Sequence, residues 1–355
     1  MRNGKRRRSL SPKIMVAGLL LCVSMAPSLQ AQGGPVTHKP YTLRVFAQST
    51  GTDTSKGQYS QPDSIVQWRN HIIVGFQNHV AKDGTDGKSS TIVEYSLSGT
   101  VLRKFSVPGH NDGLRIVGEN DLWSLQNEDA NPNLVVIDLE SGGQTKYTFA
   151  PPAHGGGYDD MRVLDGKVLM TASNPMNDPN KAPALVIATL RNGMVDVEPV
   201  LFGNASATDI VTGASVTLNL QDPDSLTIDP RGNVVLDDQA DSQLIFIKNV
   251  FSDERLVGRL GLTRADTGKA TTVDDTAFAP SPSSFMLFSD VGADKVYRLD
   301  HPGFGFEPGT AYSTSDTDGF VGVLNLDNGV ITPIVTGLMS GRGMIFVEGA
   351  EGEGE

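Results

Sequence analysis

The stretch that decides the fold is DPDSLTIDPRGNVVLD, residues 222–237. Two apolar runs, residues 226–228 and 234–236, flank an Asp-Pro-Arg-Gly-Asn segment. Short apolar runs on either side of turn-forming residues predict a β-hairpin. Similar runs, separated by Gly, Asn, Asp and Pro, continue from Tyr41 to Gly349 without a convincing helical period. The sequence therefore predicts an all-β protein.

The hairpin recurs along the chain, which indicates an internal repeat. Each copy opens with an Asp, a small or acidic residue and an apolar residue, and an amide or acid follows fifteen residues after the Asp. The opening residues are Asp63, Asp112, Asp159, Asp224 and Asp275, with a degenerate sixth copy at Arg342, and the later residues are Asn78, Asn127, Asn174, Gln239 and Asp290. A second hairpin turn follows in most copies, at residues 98–99, 142–143, 192–193 and 328–329. Each unit is therefore predicted to contain four antiparallel strands.

Four-stranded units in tandem predict a β-propeller. Residues 41–349 divide into six units of about 51 residues, which favours six blades, with five blades as the alternative. The two long units are expected to contain insertions near residues 203–221 and 298–319. Only one strand, residues 345–347, follows the sixth opening. The N-terminal strand, residues 41–48, is expected to help complete that blade, together with strands that the repeat does not place.

In its repeated units, such as residues 222–237, the chain resembles the six-bladed propellers of the NHL-repeat and gluconolactonase/senescence-marker superfamily. The resemblance covers nearly the whole chain after residue 31. The superfamily includes calcium-dependent lactonases and esterases, lyases, and repeats that only bind partners. The resemblance thus implies the architecture more specifically than it implies a reaction.

The opening Asp residues are expected to converge at one end of the inner strands, with further acids at Asp160, Asp222, Asp238 and Asp274. Carboxylates so placed repel one another, and a divalent cation would relieve the repulsion. Calcium takes roughly six to eight oxygen ligands of the carboxylate, amide and water types. The predicted metal ligands are Asp63, Asp112, Asp159, Asp224, Asp275, Asn127 and Asn174.

Resemblance to the lactonase branch also implies an axial metal held by acid and amide side chains. That branch usually has Glu at the first-blade position, where this chain has the shorter Asp63. The alternative is architectural, because Asp and Asn at strand ends often accept hydrogen bonds from nearby backbone N–H groups. A repeat would copy that feature into each blade without any ligand.

Two histidines lie near the same predicted face. His110 stands two residues before Asp112, and His154 precedes the glycine run 155–157 that leads to Asp159. A neutral imidazole there could act as general base toward a metal-polarised water or ester. The alternative for each is a hydrogen bond within its loop.

The first 31 residues are predicted to be a secretory signal peptide, with bases at 5–8, an apolar run at 14–26 and a small residue, Ala31, at the cleavage point. The general secretory route is favoured over the twin-arginine route. Cleavage removes Cys22, the single cysteine, which excludes disulfides and thiol chemistry. The mature chain has 23 basic against 41 acidic residues, which argues against nucleic acid and anionic membrane partners and favours cations.

Residues 32–349 are predicted to form a single propeller domain, and residues 350–355 a disordered acidic tail. The predicted protein is secreted or periplasmic and monomeric, and it binds calcium and a small ligand at the mouth of its central channel. One hypothesis for its activity is metal-dependent hydrolysis of lactones or esters. The other is a non-catalytic scaffold that binds a protein or glycan.

Overall fold

The structure, a computed structural model, describes residues 34–348. The predicted signal peptide, residues 1–31, and the predicted tail, residues 350–355, lie outside the described residues. Between residues 34 and 348, the helical segments are two single 3-10 turns, Thr54–Lys56 and Gln239–Asp241. No helix in this range is long and apolar enough to cross a membrane.

Strands account for the remaining regular structure. The first fourteen are β1 (Val36–Thr37), β2 (Thr42–Gln48), β3 (Pro62–Trp68), β4 (His71–Phe76), β5 (Ser89–Ser96), β6 (Val101–Pro108), β7 (Asn111–Val117), β8 (Asp121–Gln126), β9 (Asn133–Asp138), β10 (Gln144–Phe149), β11 (Met161–Leu164), β12 (Lys167–Thr171), β13 (Pro183–Arg191) and β14 (Met194–Phe202). They are followed by β15 (Ser206–Asp209), β16 (Ser215–Thr217), β17 (Pro223–Ile228), β18 (Val234–Asp238), β19 (Gln243–Lys248), β20 (Leu256–Gly261), β21 (Thr263–Arg264), β22 (Thr276–Phe278), β23 (Phe285–Asp290), β24 (Lys295–Asp300), β25 (Ala311–Ser315), β26 (Phe320–Leu324), β27 (Val330–Thr336) and β28 (Gly341–Val347).

Antiparallel pairing divides these strands into groups of four. From the innermost strand outward, the groups are β3-β4-β5-β6, β7-β8-β9-β10, β11-β12-β13-β14, β17-β18-β19-β20, β22-β25-β26-β27 and β28-β23-β24-β2, numbered 1 to 6 below. The short strands β1, β15, β16 and β21 extend the outer edges of groups 4 and 5. Groups 2 and 3 share one sheet through a short parallel pairing of β10 with β14.

The innermost strands contact one another in a closed cycle, β3, β7, β11, β17, β22 and β28, which returns to β3. The hydrophobic core is divided in the same way, into clusters that each lie between two adjacent groups. Between groups 1 and 2, for example, Ile73 and Ile92 pack with Leu114 and Leu122. This arrangement is a β-propeller, and the fold class predicted from the sequence is confirmed.

Group 6 is completed from two distant parts of the chain. As predicted, the N-terminal strand β2 contributes its outer strand, paired with β24. The strands that the repeat did not place are β23 and β24, which the chain inserts between β22 and β25 of group 5. The predicted insertion at 298–319 is therefore wrong, because that range contains the end of β24 and all of β25. The prediction at 203–221 is confirmed by the extra strands β15 and β16.

The same detour changes the pairing of the fifth repeat. Thr276 in β22 pairs with Ser313 in β25, whereas Asp290 in β23 pairs with Gly341 in β28. The prediction that Asp290 ends the strand next to the fifth opening Asp is therefore wrong. Its carboxylate instead accepts backbone hydrogen bonds from Met339 and Ser340 at the start of group 6.

Turn chemistry explains the tight hairpins. The chain reverses at Asp165-Gly166 between β11 and β12 with φ of 50° and 73°, and at Asn192-Gly193 between β13 and β14 with φ of 51° and 78°. Both pairs adopt positive φ, as a type I′ turn requires, and Asp, Asn and Gly are the residues that tolerate it best.

Candidate functional site: an acidic cavity on the propeller axis

One cavity of about 280 Å³ lies where the innermost strands begin. The residue at the start of each innermost strand, or just before it, contributes a charged side chain to its wall. We call this set the axial ring, and its members are Asp63, Asp112, Asp159, Asp224, Asp274 and Arg342. All five opening Asp residues predicted to converge at this end therefore line the cavity, although Asp275 does so from outside the ring, and Arg342 takes the sixth place as the repeat predicted.

The fifth ring position belongs to Asp274, one residue before the predicted ligand Asp275. Asp275 Oδ2 accepts a hydrogen bond from the backbone N–H of Met344 in the next group, at 2.7 Å. Asp160 Oδ2 does the same with Leu226 N, at 2.9 Å. Asp275 is thus the equivalent of Asp160, one residue further along its strand, and not of Asp159.

A second layer of charges lies next to the ring, on the innermost strands or just before them and on β18. We call it the floor layer, and it consists of Asp160, Asp237, Asp275, Arg115 and Arg162. Asp160 lies 3.6 Å from Arg115 Nη2 and 3.5 Å from Arg162 Nη1. Asp237 accepts hydrogen bonds from the hydroxyls of Ser225 and Thr276, at 3.1 and 3.2 Å. Each floor carboxylate therefore has protein donors.

The cavity as a whole is strongly acidic. Ten carboxylate side chains line it against four basic side chains, Lys82, Arg115, Arg162 and Arg342. Arg342 balances part of the ring, with Nη1 3.3 Å from Asp63 Oδ2 and Nε 3.8 Å from Asp274 Oδ1. The carboxylate of Asp224, by contrast, accepts no hydrogen bond from residues 34–348.

Burial and mutual repulsion raise the pKa values of several acids in the cavity. Burial, with the charges on Asp112 and Glu128, raises the pKa of Asp159 well above its usual value. Burial, with the charges on Asp274 and Asp222, does the same to the pKa of Asp224. Burial raises the pKa of Asp222 and of Asp275 to about 6, and that of Asp160 to about 7. The site thus resists full ionisation unless a cation enters.

The densest part of the site is a carboxylate cluster formed by Asp112, Glu128 and Asp159. Asp159 is a neighbour of both Asp112 and Glu128, whose negative charges add to burial in raising its pKa. A ring nitrogen of His110 and one oxygen each of Asp112 and Glu128 lie within 4.8 Å of one another. Burial would raise the pKa of Glu128, but the Lys82 ammonium group and the bond with Asp159 hold it at about 2.

The sequence interpretation missed two members of this region. Glu128 follows the predicted ligand Asn127 directly and lies just past the end of β8. Lys82 lies in the loop between β4 and β5 and contacts the Glu128 carboxylate. An acid directly after the repeated amide was a usable signal for Glu128, whereas nothing in the repeat points to a loop lysine.

The two predicted amide ligands differ, because Asn127 bonds to the backbone around it and Asn174 does not. Asn127 Oδ1 accepts the N–H of His110 at 2.9 Å, and Nδ2 donates to the carbonyl of Asn131 at 3.0 Å. Asn174 lines the cavity, and its Nδ2 lies 3.3 Å from Asp129 Oδ1. Both residues have positive φ, 68° and 50°, a conformation that Asn tolerates well. The architectural alternative fits Asn127, whereas Asn174 faces the cavity.

The two predicted bases differ in position. His110 is 3% exposed; its Nδ1 is 2.8 Å from the carbonyl of Val80, and its Nε2 has no hydrogen-bond partner among residues 34–348. Neither histidine is among the residues that line the cavity, and Nε2 of His154 bonds to the carbonyl of Gly157 at 2.6 Å. Burial lowers the pKa of His154. Of the two, only His110 is brought to the carboxylate cluster.

Two further acids that the sequence predicted at this face, Asp222 and Asp238, also differ in position. Asp222 lines the cavity, as the sequence predicted. Asp238 does not: its Oδ1 accepts the N–H of Asp222 at 3.1 Å and its Oδ2 accepts Gln243 Nε2 at 2.6 Å. The pKa of Asp238 is raised to about 7, chiefly by burial. Asp238 is therefore a support for the loop that carries Asp222.

Comparisons with known proteins find structural similarity without sequence similarity. No protein-family model and no curated protein sequence matches the chain. Among solved structures, virginiamycin B lyase from Staphylococcus aureus is 9% identical, with a TM-score of 0.48 over 88% of this chain and 90% of that one. A streptogramin B lyase is 12% identical, with a TM-score of 0.45 over 88% of each chain.

A protein solved as a candidate gluconolactonase is 13% identical, with a TM-score of 0.44 over 85% of this chain and 83% of that one. At these identities and TM-scores the likeness carries no argument about activity, and the fold rests on the strand pairing described above. The chain is a β-propeller whose resemblance to the gluconolactonase-like proteins is a resemblance of fold.

Proposed function

We propose that the protein binds a divalent cation, calcium in the first instance, in the axial cavity, and that each four-stranded group is one blade of a six-bladed propeller. The observation that carries the proposal is the carboxylate cluster of Asp112, Glu128 and Asp159, in which three acids converge with Lys82 as their one basic contact within 4 Å among residues 34–348. Carboxylate oxygens are the ligands that calcium prefers.

The donor set fits such an ion. Asp159 is 5% exposed and its Oδ1 has no hydrogen-bond partner among the described residues, although a buried carboxylate oxygen normally has one. Asp224 and Asp222 extend the acidic wall beyond the cluster and leave room for a ligand above the ion. A bound cation would satisfy the orphaned oxygen and offset the mutual repulsion of the acids.

For the reaction, we propose hydrolysis of a lactone or ester bound in the same cavity. A bound divalent cation supplies Lewis-acid polarisation of the carbonyl oxygen. The bond from Nδ1 to the Val80 carbonyl places the proton of neutral His110 on Nδ1 and leaves the Nε2 lone pair free. His110 would accept a proton from the attacking water at Nε2 and return it to the alkoxide that leaves when the ester C–O bond breaks. Arg342 would orient Asp63 and Asp274 around the ligand.

We also propose, from its first 31 residues, that the protein is exported to the periplasm or the medium, and that it works as a monomer by default. Its proposed small-molecule ligand has a hydrolysable ester bond. The bound metal ion would attract this ligand into the acidic cavity.

The test is to measure the metal content of the purified mature protein after dialysis, and then turnover of a lactone and ester panel. We expect about one calcium ion per chain, and loss of both the ion and turnover in Asp159→Asn. The matched control is Asp196→Asn, which changes an exposed acid paired with Arg191 far from the cavity. Turnover retained in Asp159→Asn would refute the hydrolase, and a metal-free protein that calcium does not stabilise would refute the site.

A glycan-binding scaffold is the second candidate, and one surface favours it. Tyr41 stacks on His301 with ring centroids 4.5 Å apart, and His301 stacks on Phe304 at 5.8 Å. Phe304 is 77% exposed, so the stack ends in an aromatic face open to solvent. Binding of oligosaccharides that is abolished by Phe304→Ala but kept in Asp159→Asn would favour this function over the hydrolase.

A further inference from the structure

We propose that Lys82 is a built-in competitor of the divalent cation: its ammonium group neutralises Glu128 until an ion displaces it, and this exchange makes the site selective for divalent over monovalent cations. The inference rests on the proposed function, because it concerns the same carboxylate cluster.

Lys82 reaches the site from outside the repeated elements. It lies in the loop of residues 77–88, between β4 and β5 of group 1, and crosses to Glu128, which follows β8 of group 2. The two side chains differ sharply in exposure, 50% for Lys82 and 8% for Glu128. The ammonium group can therefore move into solvent, whereas the carboxylate stays in the cluster.

The backbone of the loop is attached independently of that ion pair. The carbonyl of Lys82 accepts the N–H of Asp129 at 3.3 Å, and the carbonyl of Asp83 accepts Asn131 Nδ2 at 3.2 Å. The carbonyl of Val80 contacts His110 Nδ1 at 2.8 Å. Displacement of the ammonium group therefore requires a change in one long side chain and leaves the loop in place.

Charge decides which ions can make the exchange. The ammonium group of Lys82 carries one positive charge at neutral pH and contacts the Glu128 carboxylate. A monovalent ion that displaces the ammonium group replaces one positive charge with another and gains little. A divalent ion adds one positive charge to a cluster that has an excess of carboxylates, and it gains correspondingly more.

The test is calorimetric titration of calcium into metal-free protein, with Lys82→Met compared with the wild type and with Lys88→Met. Lys88 lies in the same loop but pairs with Asp86 and does not line the cavity. We expect Lys82→Met to bind calcium about tenfold more tightly or better, and to show competition by sodium that the wild type lacks. Lys88→Met should match the wild type.

Chemical labelling gives a second readout that a structural role would not change. Acetylation of Lys82, followed by mass spectrometry, should become faster when calcium is added, while that of Lys88 stays constant. Unchanged or weaker calcium binding in Lys82→Met, or constant labelling of Lys82, would overturn the competitor role while leaving the calcium site intact. If neither wild type nor Lys82→Met binds calcium, the proposed function and this inference both fail, whereas binding by Lys82→Met alone would support the inference.

Discussion

The axial ring and the floor layer both consist of Asp and Arg side chains, and Asp159 and Asp274 of the ring directly precede Asp160 and Asp275 of the floor layer, yet the carboxylates of the two layers have different surroundings. Asp160 and Asp275 in the floor layer accept backbone N–H groups from the neighbouring group, at 2.9 and 2.7 Å. In the ring, Asp63, Asp112 and Asp274 accept hydrogen bonds from side chains only, and within residues 34–348 no ring carboxylate accepts a backbone N–H. One buried oxygen in each layer, Asp159 Oδ1 and Asp275 Oδ1, has no hydrogen-bond partner among these residues. The difference teaches that the floor layer joins adjacent groups, whereas the ring is left open for a ligand.

The largest expected effect is on the floor layer. Asp160→Ala removes the acceptor of Leu226 N–H and leaves Arg115 and Arg162 without their shared carboxylate. We expect the free energy of unfolding to fall by about 3 kcal/mol, because buried cations and N–H groups lose their partner. Urea denaturation measures the change, and Asp196→Ala, at an exposed pair, should cost less than about 0.5 kcal/mol. If Asp160→Ala and Asp196→Ala lower the free energy of unfolding equally, the floor layer does not join adjacent groups.

A second substitution tests how closely the ring is assembled. Gly113 lies where groups 2 and 3 meet, and an added Cβ would stand 2.2 Å from the carbonyl oxygen of Asp159. Gly113→Ala should lower the free energy of unfolding by about 2 kcal/mol, because that backbone must move. Gly143→Ala, whose Cβ would meet only the Ser141 hydroxyl at 3.3 Å, is the control. Equal stability of the two variants would show that the inner strands can separate at no cost.

The pH dependence of the free energy of unfolding should report directly on the repulsion between the acids of the cavity. Folding raises the pKa of Asp222 and Asp275 to about 6 and that of Asp160 to about 7, so between about pH 4 and 7 the folded protein binds more protons than the unfolded chain. The stability of metal-free protein should therefore rise by about 2 kcal/mol as the pH falls from 8 to 6. Urea midpoints across this range in a chelator would show it, and a flat profile would contradict the raised pKa values.

The smallest effect is expected in the ring. Asp224→Asn removes one charge from an acid whose pKa is raised by burial and by Asp274 and Asp222. Without metal, the variant should gain about 1 kcal/mol of stability at pH 8, opposite in sign to Asp160→Ala. Thermal melting in a chelator measures this gain, and a loss of stability would place Asp224 with the structural carboxylates of the floor layer.

The sequence predicted the fold well because each hairpin carries its own local signal. Alternating apolar residues and turns such as Asn192-Gly193 specify strands without reference to distant parts of the chain. The detour of β23 and β24 into group 6 was not predictable in this way, because Asp290 keeps the repeat spacing while its strand pairs elsewhere. Long-range pairing leaves no periodic mark in the sequence.

The site was predictable only where it follows the repeat. Asp63, Asp112, Asp159 and Asp224 occupy equivalent positions, so one spacing rule placed them all. The rule selected Asp275 because it precedes Thr276-Ala277 as the repeat requires, but the two adjacent acids in the fifth copy made the register ambiguous by one residue. Lys82 lies in a loop and meets Glu128 only through the packing of groups 1 and 2.

The most direct test of the ligand role of the ring is the effect of calcium on the stability of wild-type protein and Asp159→Asn at pH 7.5, measured by thermal melting. At calcium about 100 times its dissociation constant, the wild type should gain about 2.7 kcal/mol of stability, while Asp159→Asn gains little. A wild-type protein that calcium, magnesium and manganese all leave unchanged would contradict the assignment and return the ring to an architectural role.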